Sequence, residues 1–193
     1  MKIIEIEPGI LYSVWYDHEI YDEYNRIFES YSDFTYTLDF FNKYNLRIND
    51  FYVSATGIPR TDPEGYAEKV VTECLELEER FENLVDNVKD GLTPDFHEEF
   101  QWLEGTPGFP LTGLKWGKID SASMLRIYAV EVESNCLIIV YGGIKISHKL
   151  SECPMLETAV RKVQDLIFYL RQNDATTISD FKDLINKKRD GDE

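Results

Sequence analysis

The sequence lacks the short motifs that mark the common catalytic and cofactor-binding sites. It has no glycine-rich phosphate loop, no G-x-S-x-G nucleophile elbow and no zinc-ligand spacing. Its three histidines leave few arrangements of a serine or cysteine nucleophile with a histidine base. The run His97-Glu98-Glu99 lacks the second histidine of an H-E-x-x-H zinc helix. We therefore expect no cofactor and no metal site.

Cysteines and long apolar runs are also scarce. Cys74, Cys136 and Cys153 show no C-x-x-C spacing, so we expect reduced, structural thiols. The longest apolar run, residues 137–141, is far shorter than the roughly 20 residues that cross a bilayer. No signal-peptide pattern opens the sequence. These features predict a cytoplasmic protein with no membrane partner.

Basic residues are too few to balance the acidic ones, and their distribution is uneven. The net charge is −16; residues 1–110 contain 8 Lys/Arg against 24 Asp/Glu, whereas residues 111–162 contain 7 against 5. Affinity for nucleic acid depends on cations that neutralise phosphates, so the overall field disfavours such binding. We expect no DNA partner, and any contact with RNA or the ribosome should be confined to residues 111–162.

Alternating and apolar patterns at both ends of the chain predict a sheet. The predicted strands are residues 2–6, 10–16, 125–132, 136–141 and 144–149. Gly142-Gly143 has the residue type of a two-residue hairpin turn, so the last three strands are predicted to form an antiparallel meander. Residues 51–55 also have a strand-like composition, and residues 92–123 are predicted to be irregular.

Helical periodicity fills most of the remaining chain. We expect a helix after an N-cap at Asp17, a second over residues 34–44, a third from Asp62-Pro63 to Gly91, and a fourth from Cys153-Pro154 to residue 173. The predicted fold class is α+β, with a small antiparallel sheet, formed by an N-terminal strand and the C-terminal meander, packed with several helices. Residues 1–175 form one domain, with the sheet region at about 110–167 and a helical insertion at about 17–109; residues 176–193 form a short helix and a loose tail.

The predicted helix after Asp62 carries many glutamates on the side away from its apolar stripe. They are Glu68, Glu73, Glu76, Glu78, Glu79 and Glu82. Such a face is either a solvated surface or an acidic surface that a basic partner covers. We take Glu76, Glu79 and Glu82 as the candidate partner-binding residues.

Cations and aromatics accumulate on and beside the predicted meander. The set comprises Lys115, Lys118, Arg126, Tyr128, Lys145, His148, Lys149, Arg161 and Lys162. Period-two geometry places Arg126 and Tyr128 on one face of their strand. The set is either a solvated sheet face that makes surface ion pairs or a phosphate-binding site.

Residues 110–167 resemble the RelE/HigB-like superfamily of toxins from bacterial toxin–antitoxin modules. The resemblance rests on a Pro-Leu-x-Gly segment at residue 110, an Arg-containing strand followed by an apolar strand, Gly143-Ile144-Lys145, and a Pro-started helix with Glu157, Ala159 and Arg161. It covers about a third of the chain. The first strand followed by helices also resembles the order of elements in that family.

The resemblance implies a metal-independent endoribonuclease that cleaves messenger RNA on the ribosome. By that resemblance Arg126 and Lys145 would stabilise the charge of the phosphate in the transition state. Tyr128 and His148 would stack on bases or transfer protons. The backbone-binding residues would be Lys115, Lys149 and Arg161.

Three functions therefore stay open from the sequence. The first is a RelE/HigB-like endoribonuclease whose acidic helical region masks the basic sheet. The second is a non-catalytic module that keeps the fold and binds a protein partner, antitoxin-like or basic, through the glutamate face. The third is a small-molecule enzyme, which would need a cavity of roughly 300 Å³ or more.

Overall fold

Six strands form one sheet in the computed structural model. The strands are β1 (Lys2–Glu7), β2 (Leu11–Trp15), β3 (Gln101–Trp102), β4 (Leu111–Trp116), β5 (Leu125–Val132) and β6 (Cys136–Ile144). Their order across the sheet is β1-β2-β6-β5-β4-β3. The structure describes residues 1–48, 50–92, 96, 99–116, 122–133, 136–147, 149 and 152–191.

All strand pairs are antiparallel except one. β2 runs parallel to β6, with Leu11 opposite Leu137, and so joins the N-terminal hairpin to the centre of the sheet. Every residue of β5 is buried, which requires cover on both faces of the sheet. Helices provide this cover, and the predicted α+β class is confirmed.

Six helices pack around the sheet. They are α1 (Glu23–Ser32), α2 (Phe34–Tyr44), α3 (Asp50–Thr56), α4 (Pro63–Lys89), α5 (Ala159–Gln172) and α6 (Ile178–Gly191), with a 3₁₀ turn at Asn45–Arg47. The starts of α2 and α4 agree with the predictions because Asp33 and Asp62 accept hydrogen bonds from the first free amides of each helix. No helix in the described part of the chain has the length and apolar character needed to span a membrane.

Two adjacent glycines in β6 show how closely the helices approach the sheet. A Cβ atom on Gly142 would lie 2.5 Å from Ile27 of α1, whereas one on Gly143 would lie 2.8 Å from Leu156. The two faces of β6 are therefore covered by different parts of the chain. The prediction of a hairpin turn at these glycines is wrong, since both lie inside β6 and the strand ends at Ile144.

Four further expectations differ from the structure. α1 starts after Asp22 rather than Asp17, because the Asp22 side chain accepts from the amides of Tyr24 and Asn25; Asp17 instead pairs with the N-terminal amine at 2.8 Å. Residues 51–55 are helical, and buried Tyr52 donates a hydrogen bond to the Lys145 carbonyl. β3 and β4 lie within the segment predicted to be irregular, because pairing with β5 satisfies the backbone of β4. α5 begins at Ala159 rather than near Cys153.

The last helix is longer than predicted and is attached to the N-terminal hairpin. α6 continues to Gly191, where a loose tail was expected. The ring of Phe181 packs edge-on against Tyr12 of β2, with centroids 4.8 Å apart. The amide of Ile178 donates to the Glu133 carboxylate at 2.9 Å. These contacts hold the first half of α6 against the sheet.

Candidate functional site

The strand register decides which of the predicted catalytic residues share a face. Arg126 lies opposite Gly143, and Tyr128 lies opposite both Tyr141 and Lys115. Arg126, Tyr128 and Lys115 therefore occupy one face of the sheet. A Cβ atom on Gly143 would point out of this same face, toward Leu156.

The two residues at the centre of this face are buried. Arg126 is 7% exposed, and its Nη1 donates to the carbonyls of Ser123 at 3.0 Å and of Leu125. Tyr128 is 1% exposed, and burial raises the pKa of its phenol. In this conformation both side chains are enclosed by protein rather than presented to a polymer such as RNA.

The other cations lie nearer the surface. Lys145 and Lys115 are half-buried, and the backbone amide of Lys145 donates to the Met124 carbonyl at 2.7 Å. Lys149 is exposed and pairs with Glu152 at 3.6 Å. Arg161 is exposed on α5. His148 lies outside the described residues, as do Lys118 and the pair His97-Glu98.

The outer face of α4 carries a continuous row of carboxylates. Glu76, Glu79 and Glu82 are all exposed, as predicted for a surface face. Glu68 and Asp86 extend the row at helical spacing. Beside these side chains stands Leu75, which is 54% exposed. The side of the helix away from the sheet is therefore acidic with one apolar side chain.

Few cations compensate this row. Arg80 is engaged by Glu99 at 2.7 Å, and Lys89 by Glu7 at 2.5 Å. Within the described part of the chain none of the three predicted partner-binding glutamates forms an ion pair. The pKa of neighbouring Glu78 is raised by partial burial and then by the charges of Glu82 and Glu29. The acidic face thus contains carboxylates that repel one another.

Glu73 differs from the other glutamates of α4, although the sequence placed it on the same acidic face. It is 5% exposed and accepts hydrogen bonds from the amides of Met124 at 2.8 Å and Leu125 at 3.0 Å. Burial raises its pKa, and the two amides oppose that shift. Glu73 therefore satisfies the backbone where the chain enters β5, a structural role.

A buried group of charges that the sequence did not reveal joins α1 to α5. Glu23 is 2% exposed; its Oε2 accepts from Arg26 Nη2 at 2.6 Å, and its Oε1 lies 3.9 Å from Lys162 Nζ. Arg26 Nη2 also donates to the Gly142 carbonyl at 2.8 Å. Burial raises the pKa of Glu23 and lowers that of Lys162. We call Glu23, Arg26 and Lys162 the buried ion cluster.

Two tyrosine rings enclose the lysine of this cluster. Lys162 Nζ lies 3.8 Å from the ring centroid of Tyr16 and 3.9 Å from that of Tyr141. A cation between two aromatic faces is stabilised by both ring quadrupoles. The hydroxyl of Tyr16 donates to the Val140 carbonyl at 3.0 Å. The arrangement connects α1, the residue after β2, β6 and α5 around a lysine whose side chain stays 25% exposed.

The sequence gives little sign of this cluster. Glu23 and Arg26 are one turn apart on α1, which is the spacing of an ordinary surface ion pair. Lys162 was grouped with the sheet cations, whereas its partners come from α1 and from two strands. The contacts depend on β2 and β6 lying side by side in parallel, a pairing that the sequence alone does not fix.

No group of three or more His, Cys, Asp or Glu side chains suited to a metal occurs among the described residues. The three cysteines are free and buried. Burial raises the pKa of the Cys74 and Cys136 thiols to about 12, so both are protonated near neutral pH. The surroundings of these two thiols are typical of structural rather than reactive cysteines.

Comparison with family models, with curated proteins and with solved structures finds no match to this chain. Function is therefore argued from the chain's own residues.

Proposed function

We propose that this chain is a protein-interaction module that binds a basic protein partner through the outer face of α4. The observation that carries this proposal is the row of exposed carboxylates at Glu76, Glu79 and Glu82, none of which forms an ion pair within the described part of the chain. A row of like charges on one helix face costs stability. A complementary partner removes that cost and gains attraction over the same surface.

The exposed Leu75 adds a feature that a merely solvated face does not need. Stable interfaces combine an apolar contact at their centre with a polar rim. Leu75 follows Glu68 by two turns and precedes Glu79 by one turn, so it stands among the carboxylates. A partner with basic side chains around an apolar recess matches this surface.

The orientation of the acidic face of α4 decides whether its carboxylates can mask the cations of the sheet. The apolar stripe of α4, which includes Val70, Leu77 and Phe81, is buried, whereas the glutamate face is exposed to solvent. The carboxylates are thus directed away from the sheet cations they were expected to cover. This arrangement favours binding of a separate protein over masking within the chain.

Quantitative affinity capture from the native host tests the proposal. The triple variant E76K/E79K/E82K should lose a basic protein that the wild-type chain retains, and raising the salt concentration should weaken the retention. The matched control E104K/E157K/D183K changes the net charge equally at exposed positions elsewhere. The variant L75A should weaken capture without any change of charge.

The captured partner is then expressed and mixed with the purified chain to measure binding directly. Loss of affinity in E76K/E79K/E82K but not in E104K/E157K/D183K is the expected result. Equal loss in both triple variants would show that only the net charge matters, and an unchanged partner set would contradict the proposal.

A RelE/HigB-like, metal-independent endoribonuclease is the second candidate. It is supported by the register that brings Arg126, Tyr128 and Lys115 to one face of the sheet. Because Arg126 and Tyr128 are buried, this activity requires the cover over that face to open. The purified chain, with messenger RNA and translating ribosomes, should cleave RNA, and Lys145→Ala should remove the cleavage while the circular dichroism stays unchanged. Absence of cleavage would exclude this candidate.

A further inference from the structure

A cavity between the N-terminal hairpin and α6 has the size and lining of a ligand site. Its volume is about 580 Å³, which falls within the range of ligand pockets, roughly 300 to 1,000 Å³. It lies between β1, the turn at Pro8-Gly9 and residues 182–186 of α6. Phe181 packs on Tyr12 and holds the adjacent part of α6 against the sheet, so one wall of the cavity is fixed in place.

The walls of this cavity are mainly apolar. Ile3 and Ile4 of β1, Pro8 of the turn and Ile185 of α6 line it. Ile3 and Ile185 are only partly buried by the protein itself, so an apolar ligand would cover surface that now meets water. The lining therefore suits a hydrocarbon or aromatic body.

The charged groups at the cavity favour an anion. Lys2 and Lys182 line it against a single carboxylate, that of Glu5, in a chain whose net charge is −16. The Oε1 atom of Glu5 already accepts from the Gly9 amide at 3.0 Å and from the Tyr12 hydroxyl at 2.9 Å. The carboxylate is thus held in the hairpin by its own hydrogen bonds.

Lys182 is the cation best placed for a ligand. Its Nζ lies against the backbone of the turn, 3.0 Å from the point where a Cβ on Gly9 would stand. Within the described residues Lys182 forms no ion pair. An ammonium beside an apolar wall is the arrangement that binds the head group of an amphipathic acid.

From this geometry we infer that the cavity binds a small amphipathic anion, with an apolar body against Ile3 and Ile185 and an acidic head group at Lys182. The inference is independent of the proposed partner surface, because α4 contributes no residue to this cavity.

Calorimetric titration of the full chain with decanoate, below its micelle concentration, tests the inference. We expect one saturable site for decanoate and none for decylammonium, which has the same body and the opposite charge. Removing the ammonium with Lys182→Met should weaken decanoate binding about tenfold or more, as for the loss of a charged hydrogen bond. Lys187→Met is the matched control, an exposed lysine of α6 outside the cavity, and should change the affinity less than about twofold.

Methyl NMR spectra place the ligand without any mutation. Decanoate should shift the methyl signals of Ile3 and Ile185 in the wild-type chain and leave those of Ile138, in the middle of β6, unchanged. The inference is overturned if decanoate shows no saturable binding, if decylammonium binds equally well, if Lys182→Met binds as the wild type does, or if the shifted methyls lie elsewhere.

Discussion

The buried ion cluster and the outer face of α4 use charge in opposite ways. In the cluster Glu23 is surrounded by Arg26 and Lys162, and two tyrosine rings cover the lysine. On α4 the carboxylates of Glu76 and Glu79 face solvent, and no described cation pairs with them. The cluster has its partners within the chain, so its charges hold the fold together. The glutamates on the outer face of α4 form no ion pair among the described residues, which is why we propose this face as the partner surface.

The largest effect we expect comes from breaking the cluster. Arg26→Ala removes the hydrogen bonds to Glu23 and to the Gly142 carbonyl, and it leaves a buried carboxylate with only Lys162 nearby. Losing one partner of a buried ion pair costs about 3 to 5 kcal/mol. Urea unfolding at pH 7 measures this loss.

The double variant R26A/E23Q separates the charge from the packing of Arg26. Neutralising Glu23 removes the unpaired carboxylate, so the double variant should be more stable than Arg26→Ala alone by at least about 1 kcal/mol. If Arg26→Ala costs less than about 1 kcal/mol, the cluster is not a structural element and its residues become candidates for another role.

A second effect, of similar size, is expected within α4 itself, at Glu73. Glu73→Ala leaves the buried amides of Met124 and Leu125 without their acceptor, at about 1 to 3 kcal/mol for each group. Its matched control is Glu76→Ala, three residues later on the same helix but exposed, which should stay within about 0.5 kcal/mol of the wild type. Urea unfolding compares the two. Equal losses of unfolding free energy in the two variants would mean that buried and exposed glutamates on this helix contribute equally to stability.

The start of α4 and the extent of β5 were predictable because local rules decide them. Asp62 followed by Pro63 predicts the start of α4, and that helix begins at Pro63. The alternation in residues 125–132 predicts β5, which covers those same residues. Both signals depend on neighbours in the sequence, so they need no knowledge of the rest of the chain.

The errors lie where distant contacts decide. Gly142 and Gly143 have the composition of a hairpin turn, yet they continue β6 because they pair with Ile127 and Arg126 of β5. Ile27 on one side and Leu156 on the other leave no room there for a Cβ. The group of Glu23, Arg26 and Lys162 was missed for the same reason, since α1 and α5 are separated by most of the chain. The exposure of Glu76, Glu79 and Glu82 followed from helical period alone, but the burial of Glu73 did not.

The smallest expected effect is a pH-dependent change in melting temperature when Glu78 is neutralised. Burial, and then the charges of Glu82 and Glu29, raises the pKa of Glu78 in the folded chain. At a pH between the pKa of Glu78 in the unfolded chain and its higher pKa in the folded chain, the folded chain binds more protons. The cost of the Glu78 charge to stability is therefore absent below the unfolded pKa and grows as the pH rises through the folded pKa.

Glu78→Gln should therefore melt higher than the wild type at pH 7, by no more than about 2 °C, and at the same temperature at pH 4. Glu79→Gln, at an exposed position, is the control and should gain less. A gain of equal size at both pH values would mean that neither the burial of Glu78 nor the charges around it limits the stability of the folded chain at pH 7.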